Sequence, residues 1–327
     1  MSRAVELAQV WRGDILESIH YGHAVICNGE GEVVEAFGNP DLVMLPRSSC
    51  KMIQALPLLE SGATLSESQV AFACASHSGG AIHTEMARDW LAELGLAEGD
   101  MRCGSHMPQD QPELHRLIRA GAEPCQLHNN CSGKHCGFLM LNQHLKGGSE
   151  YVELDHPVQK AAREAFEDVT GEVSTGYGID GCSAPNFATS LAGLGRAMGF
   201  FANAHHKGGA RAGAAARLTA AMTRHPVLVA GEGRACTDLM RAMDGRVAIK
   251  TGAEAVYVAI LPEHGLGIAL KVVDGTTRAA ECAIAALLIR ADVLSAEHPA
   301  VRRYWNAPII NCRGTTTGWV RPGAALA

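Results

Sequence analysis

The chain has 327 residues, 47% of them apolar, and a formal charge of −6, so it can bury a substantial core and reads as an ordinary globular protein. The charge is spread over both halves without an acidic or basic block, which argues against nucleic-acid or anionic-membrane partners and favours a small neutral or zwitterionic ligand. No apolar run approaches the roughly 20 residues of a membrane span, the first thirteen residues lack the basic and apolar regions of a signal peptide, and eleven scattered cysteines read as reduced thiols, which makes the cytoplasm the expected compartment.

No linker, repeat or charge block interrupts the chain, so a single domain over 1–327 is expected. Residues 23–28 and 33–37 are β-prone runs separated by Gly29-Glu30-Gly31-Glu32, a composition that predicts a hairpin. A helix is expected over 49–60, where Met52, Ile53, Leu56 and Leu59 recur at spacings of three and four, with Pro57 kinking it or ending it early. The same spacing predicts a helix over 82–94 that stops at Gly95. Further helices are predicted at 134–144, 157–168, 188–203, 210–224 and 236–243. Strands follow at 246–250, 256–261 and 267–273, the last two joined across Pro262-Glu263-His264-Gly265, and a helix over 277–288 closes the pattern. Strands at both ends with helices between them imply an α+β, three-layer fold, its mostly antiparallel sheet drawn from both chain ends and covered by helices. The absence of parallel βαβ alternation argues against a dinucleotide fold.

Ser48-Ser49-Cys50-Lys51 is an S-x-x-K placed where a loop containing Pro46 enters a helix. Spacing of three puts Ser48 and Lys51 on one helical face. A serine hydroxyl needs a base to become a nucleophile, and a lysine that has shed its proton can serve. Free backbone N–H groups at a helix start could also hold a developing oxyanion. On its own the pattern is weak evidence and reads as an N-cap serine and a surface lysine. It gains weight from Lys250-Thr251-Gly252, about two hundred residues on, because S-x-x-K followed by K-T-G marks serine β-lactamases and penicillin-binding proteins. Between them lies Cys74-Ala75-Ser76-His77-Ser78-Gly79-Gly80, whose Ser76 could form a second Ser–Lys couple with Lys250. Cys131-Ser132-Gly133-Lys134-His135-Cys136, with Cys182 further on, offers soft metal ligands, although the same cysteines could be buried core thiols. Asp180 stands between glycines where it could bind an α-ammonium or simply form a turn. Arg47 could hold a carboxylate in bidentate fashion.

Taken together these segments resemble the rhizobial-type, or class 3, L-asparaginases, whose fold is similar to that of serine β-lactamases and glutaminases. The resemblance rests on Gly38-Asn39-Pro40, Arg47-Ser48 through Lys51, Cys74 through Ser78, Asn130 through His135, Asp180-Gly181-Cys182, His225-Pro226, Ala230 through Arg234 and Gly245 through Lys250, and spans residues 11 to 320. It implies Ser48 with Lys51 as one catalytic tandem and Ser76 with Lys250 as the other. It further implies Zn²⁺ on Cys131, Lys134 and Cys182, a substrate pocket lined by Arg47, His135 and Asp180, and a homodimer. Cys50 and Cys136 depart from the family pattern and add thiols close in sequence to these motifs. The expected activity is hydrolysis of L-asparagine to L-aspartate and ammonia. The competing expectations are a glutaminase or other small-amide serine hydrolase, a hydrolase in which zinc-bound hydroxide attacks directly, and a zinc-stabilised binding module.

Overall fold

Runs of β-branched residues such as those in 23–28, 256–261 and 267–273 lie toward both ends of the chain, and there they form strands. A computed structural model describes residues 3–327. These residues make two compact units: one takes the segments up to Ser49, Thr189–Asn203 and Asp238–Ala327, the other Cys50–Ala188 and Ala204–Thr237.

The first unit holds an eight-stranded antiparallel sheet in the order Ala307–Ile310, Thr316–Pro322, Val5–Arg12, Ile15–Asn28, Leu266–Val272, Val256–Leu261 and Ala248–Gly252, with Val33–Phe37 also paired to Ile15–Asn28. The expected hairpins across 29–32 and 262–265 are present. The register fixes which side chains face which way. Gly195 of the helix Leu191–Ala202 lies against Val25 and Cys27; Val25 pairs with Ala269, so these residues share a face. Tyr257 and Ala24 pair with Leu270, on the opposite face, and the Tyr257 hydroxyl reaches Glu281 of the helix Thr277–Arg290. The sheet is therefore covered on both sides, a helix–sheet–helix arrangement that gives the predicted α+β class. Both faces of its central strands are buried, which is why Val256–Leu261 reads as a continuous apolar run rather than an alternation.

Three strands of this sheet escape the sequence reading: Val5–Arg12, Ala307–Ile310 and Thr316–Pro322 are short of uninterrupted apolar residues because each lies toward one edge of the sheet, half exposed. Among the boundaries that move, the strand expected at 23–28 already begins at Ile15. The strand expected at 246–250 runs over Ala248–Gly252, so Lys250 sits in the ladder opposite Val258 instead of ending it. The helix expected from 188 starts at Leu191, because Thr189–Ser190 first pairs with Val43–Met44 and Ser190 Oγ then accepts from Gly193 N at 2.9 Å as an N-cap.

The second unit is mainly helical, with Glu67–Ala73, Ala81–Glu93, Gln111–Ala120, Ser132–Leu145, Pro157–Thr170 and Ala210–Arg224 as its longer helices and a small hairpin of Tyr177–Ile179 with Pro185–Phe187. The helix expected over 49–60 is broken as Pro57 requires: Lys51–Gln54 ends at Ala55 and Leu56–Glu60 restarts with the proline in its first turn, where no N–H is needed. No helix among the described residues is long and apolar enough to cross a membrane.

Candidate active site

In the second unit Lys51 opens the helix Lys51–Gln54 and is 1% exposed. A buried amine needs acceptors for its N–H bonds, and Lys51 Nζ finds them among Ala75 O, Ser76 Oγ at 2.9 Å and Asn130 O at 3.4 Å. Ser76 thus accepts from Lys51 and keeps its own hydrogen to donate. Its segment is anchored by Ser76 N, which donates to Val229 O at 2.8 Å, and by His77 N, which donates to Asn130 O. His77 is buried, with Gly79 N donating to its Nδ1 and its Nε2 2.9 Å from Ser132 Oγ. Burial, reinforced by the neighbouring His83, lowers its pKa and keeps the ring neutral.

The thiol and amine side chains singled out in the sequence converge beside this couple. Lys134 Nζ donates to Cys182 Sγ at 3.0 Å, and Cys131, whose own Sγ donates to Asn130 Oδ1 at 3.2 Å, lies close enough that the Cys182 pKa is lowered and its own is raised. Cys182 sits at the tip of the 177–187 hairpin, whose five-residue connection is closed by Asp180 N donating to Ala184 O and Ser183 N to Asp180 O. That turn accounts for the half-buried position of Asp180 two residues from the sulfur. Gly133 lets the helix Ser132–Leu145 come this close: a Cβ there would stand 2.2 Å from Phe72 O.

His135 is wholly buried. Tyr151 hydroxyl accepts from Arg102 N at 2.8 Å and meets His135 Nδ1 at 2.8 Å. Nδ1 is the acceptor within reach of the phenol's own hydrogen, and that donation leaves the imidazole hydrogen on Nε2. That nitrogen is buried without a hydrogen-bond partner in good geometry, although it lies close enough to Cys182 to favour the thiolate.

Whether this set suits a metal ion depends on donor chemistry. Among the described residues no three His, Cys, Asp or Glu side chains are grouped as a metal site; here two sulfurs and one amine nitrogen are gathered, with an orphaned imidazole N–H beside them. Buried soft donors, one of them already favoured as thiolate, fit Zn²⁺. Cys50 and Cys136 lie outside the set. Cys50 Sγ accepts from Asn186 Nδ2, and Cys136 Sγ donates to Ala87 O of the helix Ala81–Glu93.

In the first unit Ser48 is half-buried in the 3-10 turn Arg47–Cys50. Arg47 just before it has φ +54°, a left-handed conformation that costs a side-chain-bearing residue on the order of 1 kcal/mol or more. Ser49 Oγ is spent on Pro46 O at 2.7 Å, which removes it as a nucleophile. The turn rests on the strand of Lys250-Thr251-Gly252: a Cβ on Gly252 would lie 2.7 Å from Pro46 O and 3.1 Å from Ser49 N. The two motifs recognised two hundred residues apart are thus neighbours, joined at the one position of K-T-G that has no side chain. Lys250 is 1% exposed and donates to Thr251 O at 2.7 Å.

The structure therefore couples Lys51 to Ser76, joins Cys131, Lys134 and Cys182, and seats the Ser48 turn on the Lys250 strand. Tyr151, Asn130 and Ser132 were not anticipated as supports. Asn130 lay inside a recognised motif, whereas nothing in the sequence marks Tyr151 as the partner of His135.

A family model described as L-asparaginase II matches residues 8–322. No curated protein matches the chain significantly. Similar solved structures include Mglu in its native form, at 11% identity and TM-score 0.46 over 84% of this chain and 66% of that one. They also include a putative beta-lactamase from Bacteroides dorei DSM 17855, at 12% and 0.44 over 77% and 84%, and an octameric penicillin-binding protein homologue from Pyrococcus abyssi, at 11% and 0.41 over 90% and 80%. The chain spans 66% of the length of Mglu.

Proposed function

The chain belongs to the L-asparaginase II family, and we propose that it is an amidohydrolase that hydrolyses L-asparagine to L-aspartate and ammonia with Ser48 as nucleophile. The observation that carries this reading is the buried Lys51–Ser76 hydrogen bond of 2.9 Å, a Ser–Lys couple made by the lysine of the S-x-x-K.

Unprotonated Lys51 takes the hydrogen of Ser48, and the Ser48 oxygen attacks the side-chain carbonyl of asparagine. As the tetrahedral centre collapses, the proton returns through Lys51 and Ser76 to the departing nitrogen, which leaves as ammonia. Water then hydrolyses the β-aspartyl ester and Ser48 recovers its hydrogen. Lys250 is assigned to the same proton path, and Arg47, His135 and Asp180 to the carboxylate and ammonium ends of the substrate. Cys131, Lys134 and Cys182 would hold Zn²⁺, which supplies a Lewis-acidic centre that orders the polar end of the substrate. The protein is further proposed to act as a cytoplasmic homodimer.

Ammonia release from asparagine and glutamine, measured with zinc content on the same samples, tests this. Ser48→Ala is expected to lower kcat for asparagine roughly a thousandfold or more while zinc stays bound. Near-normal turnover in that variant, or turnover that survives Ser48→Ala and vanishes on chelation, would exclude Ser48 as nucleophile and favour attack by zinc-bound hydroxide. Faster release from glutamine would correct the substrate alone.

A further inference from the structure

A second group of reactive side chains lies in the second unit, on the turn Gln126–His128 and the helix Gln111–Ala120, and the mechanism above does not use it. Cys125 Sγ stands 3.3 Å from His128 Nδ1. His128 Nε2 is 3.0 Å from Glu113 Oε1, and Glu113 is held by Arg116 through Nε–Oε2 at 2.8 Å and Nη2–Oε1 at 2.7 Å. The tautomer follows from these contacts. Cys125 N donates to His128 Nδ1 at 3.1 Å, so Nδ1 carries a lone pair, and the ring hydrogen sits on Nε2, directed at the carboxylate. The thiol therefore faces the basic nitrogen of an imidazole whose other nitrogen is oriented by a buried acid. Nucleophile, base and orienting carboxylate follow the logic of activated cysteine sites.

Access favours this thiol. Nine of the eleven cysteines are buried; Cys125 is partly exposed and Cys312 exposed. Burial raises the pKa of several others, Cys103 to about 12 among them. Glu113 is kept ionised chiefly by its hydrogen bond from Arg116, so imidazolium formed at His128 meets a negative partner.

We propose that Cys125, with His128 as its base and Glu113 as the group that orients and charges that base, is a site of covalent modification by small two-electron electrophiles such as hydroperoxides. Sulfur attacks the hydroxyl-bearing peroxide oxygen, an S–O bond forms as the O–O bond breaks, and the thiol hydrogen passes through His128 Nδ1 to the departing oxygen. The sulfur is oxidised by two electrons to a sulfenic acid, and the hydroperoxide is reduced to water or an alcohol. Charged and titratable groups around the turn are Glu113 and Arg116 on the facing helix, Glu98, whose Oε1 accepts from Gln126 N, and His77, which feels the charge of His128.

Brief labelling of the full-length protein with iodoacetamide, quantified by peptide mass spectrometry at several pH values, tests the assignment with Cys312 as internal reference. Cys125 is expected to react at least about tenfold faster than Cys312 near neutral pH. Glu113→Gln preserves an acceptor but removes the charge and should reduce the advantage, and His128→Asn should abolish it, with the Cys312 rate unchanged in both. A dimedone adduct on Cys125 after peroxide treatment is the corresponding oxidative result. Cys125 labelling no faster than Cys312 in the unaltered protein, or an advantage that survives both substitutions in folded samples, would overturn the proposal.

Discussion

Lys134 shows how burial and charge compete at a single side chain. Burial works against its ammonium form, but the Cys182 thiolate beside it, with Cys131 adding to the effect, outweighs that penalty and its pKa is raised. Zinc taken up at this nitrogen must displace a proton. Calorimetric titration with Zn²⁺ in buffers of differing ionisation enthalpy should therefore report proton release and an affinity that weakens as pH falls, with fewer protons released in Lys134→Ala; uptake without proton release would remove Lys134 from the ligand set. Tyr151 carries a comparable constraint without any charge. Tyr151→Phe leaves His135 Nδ1 and Arg102 N without their partner and should cost about 1–3 kcal/mol in urea unfolding. A change below about 0.5 kcal/mol would mean that water replaces the hydroxyl. At this scale the residue types of the site were legible from their motifs, because chemistry restricts which side chains can do the work. The partner of each was not: no motif says that the Ser76 hydroxyl accepts from Lys51.

Two glycines decide how closely elements approach. In Gly133→Ala the intrinsic helix preference of alanine is worth about 1 kcal/mol, but its methyl would stand 2.2 Å from the backbone oxygen of Phe72, which cannot swing aside. Overpacking should win, and a net loss of roughly 1–3 kcal/mol with a lowered Tm is expected; a raised Tm would show that the helix Ser132–Leu145 can shift freely. Gly252→Ala meets Pro46 O at 2.7 Å and should displace the turn that carries Ser48, lowering kcat more than tenfold while much of the stability remains. Most elements were legible because their hydrophobic period is local: Ala210–Arg224 was anticipated to the residue. Gln111–Ala120 was missed although Asp110, Pro112 and Gly121 mark its start and stop, since only Glu113 and Leu117 are buried and the apolar signal is thin.

At the scale of the whole molecule the chain passes between the two units four times, at 49/50, 188/189, 203/204 and 237/238. Neither unit is a contiguous piece, so a chain ended at 237 lacks five strands of the sheet and should fail to fold. Buried histidines set the response to acid. His77, His83 and His23 all have pKa values lowered chiefly by burial from the ordinary 6.5. Above 6.5 both folded and unfolded forms are neutral; as pH falls below it the unfolded chain takes up protons that the folded one refuses, and stability is lost. Urea unfolding should show a marked decline between pH 7 and pH 5, and a flat profile over that range would contradict the neutral burial of these rings. By itself the sequence determined the α+β class, the helical and strand periods and the set of reactive residue types, because periodicity, turn chemistry and functional-group chemistry are properties of short stretches of chain. Only the tertiary structure decided that the S-x-x-K turn rests on Gly252, that Tyr151 orients His135, that Cys136 turns toward Ala87 while Cys182 joins Lys134, and that Cys125, His128 and Glu113 line up. Each of these depends on packing between segments that share no local pattern.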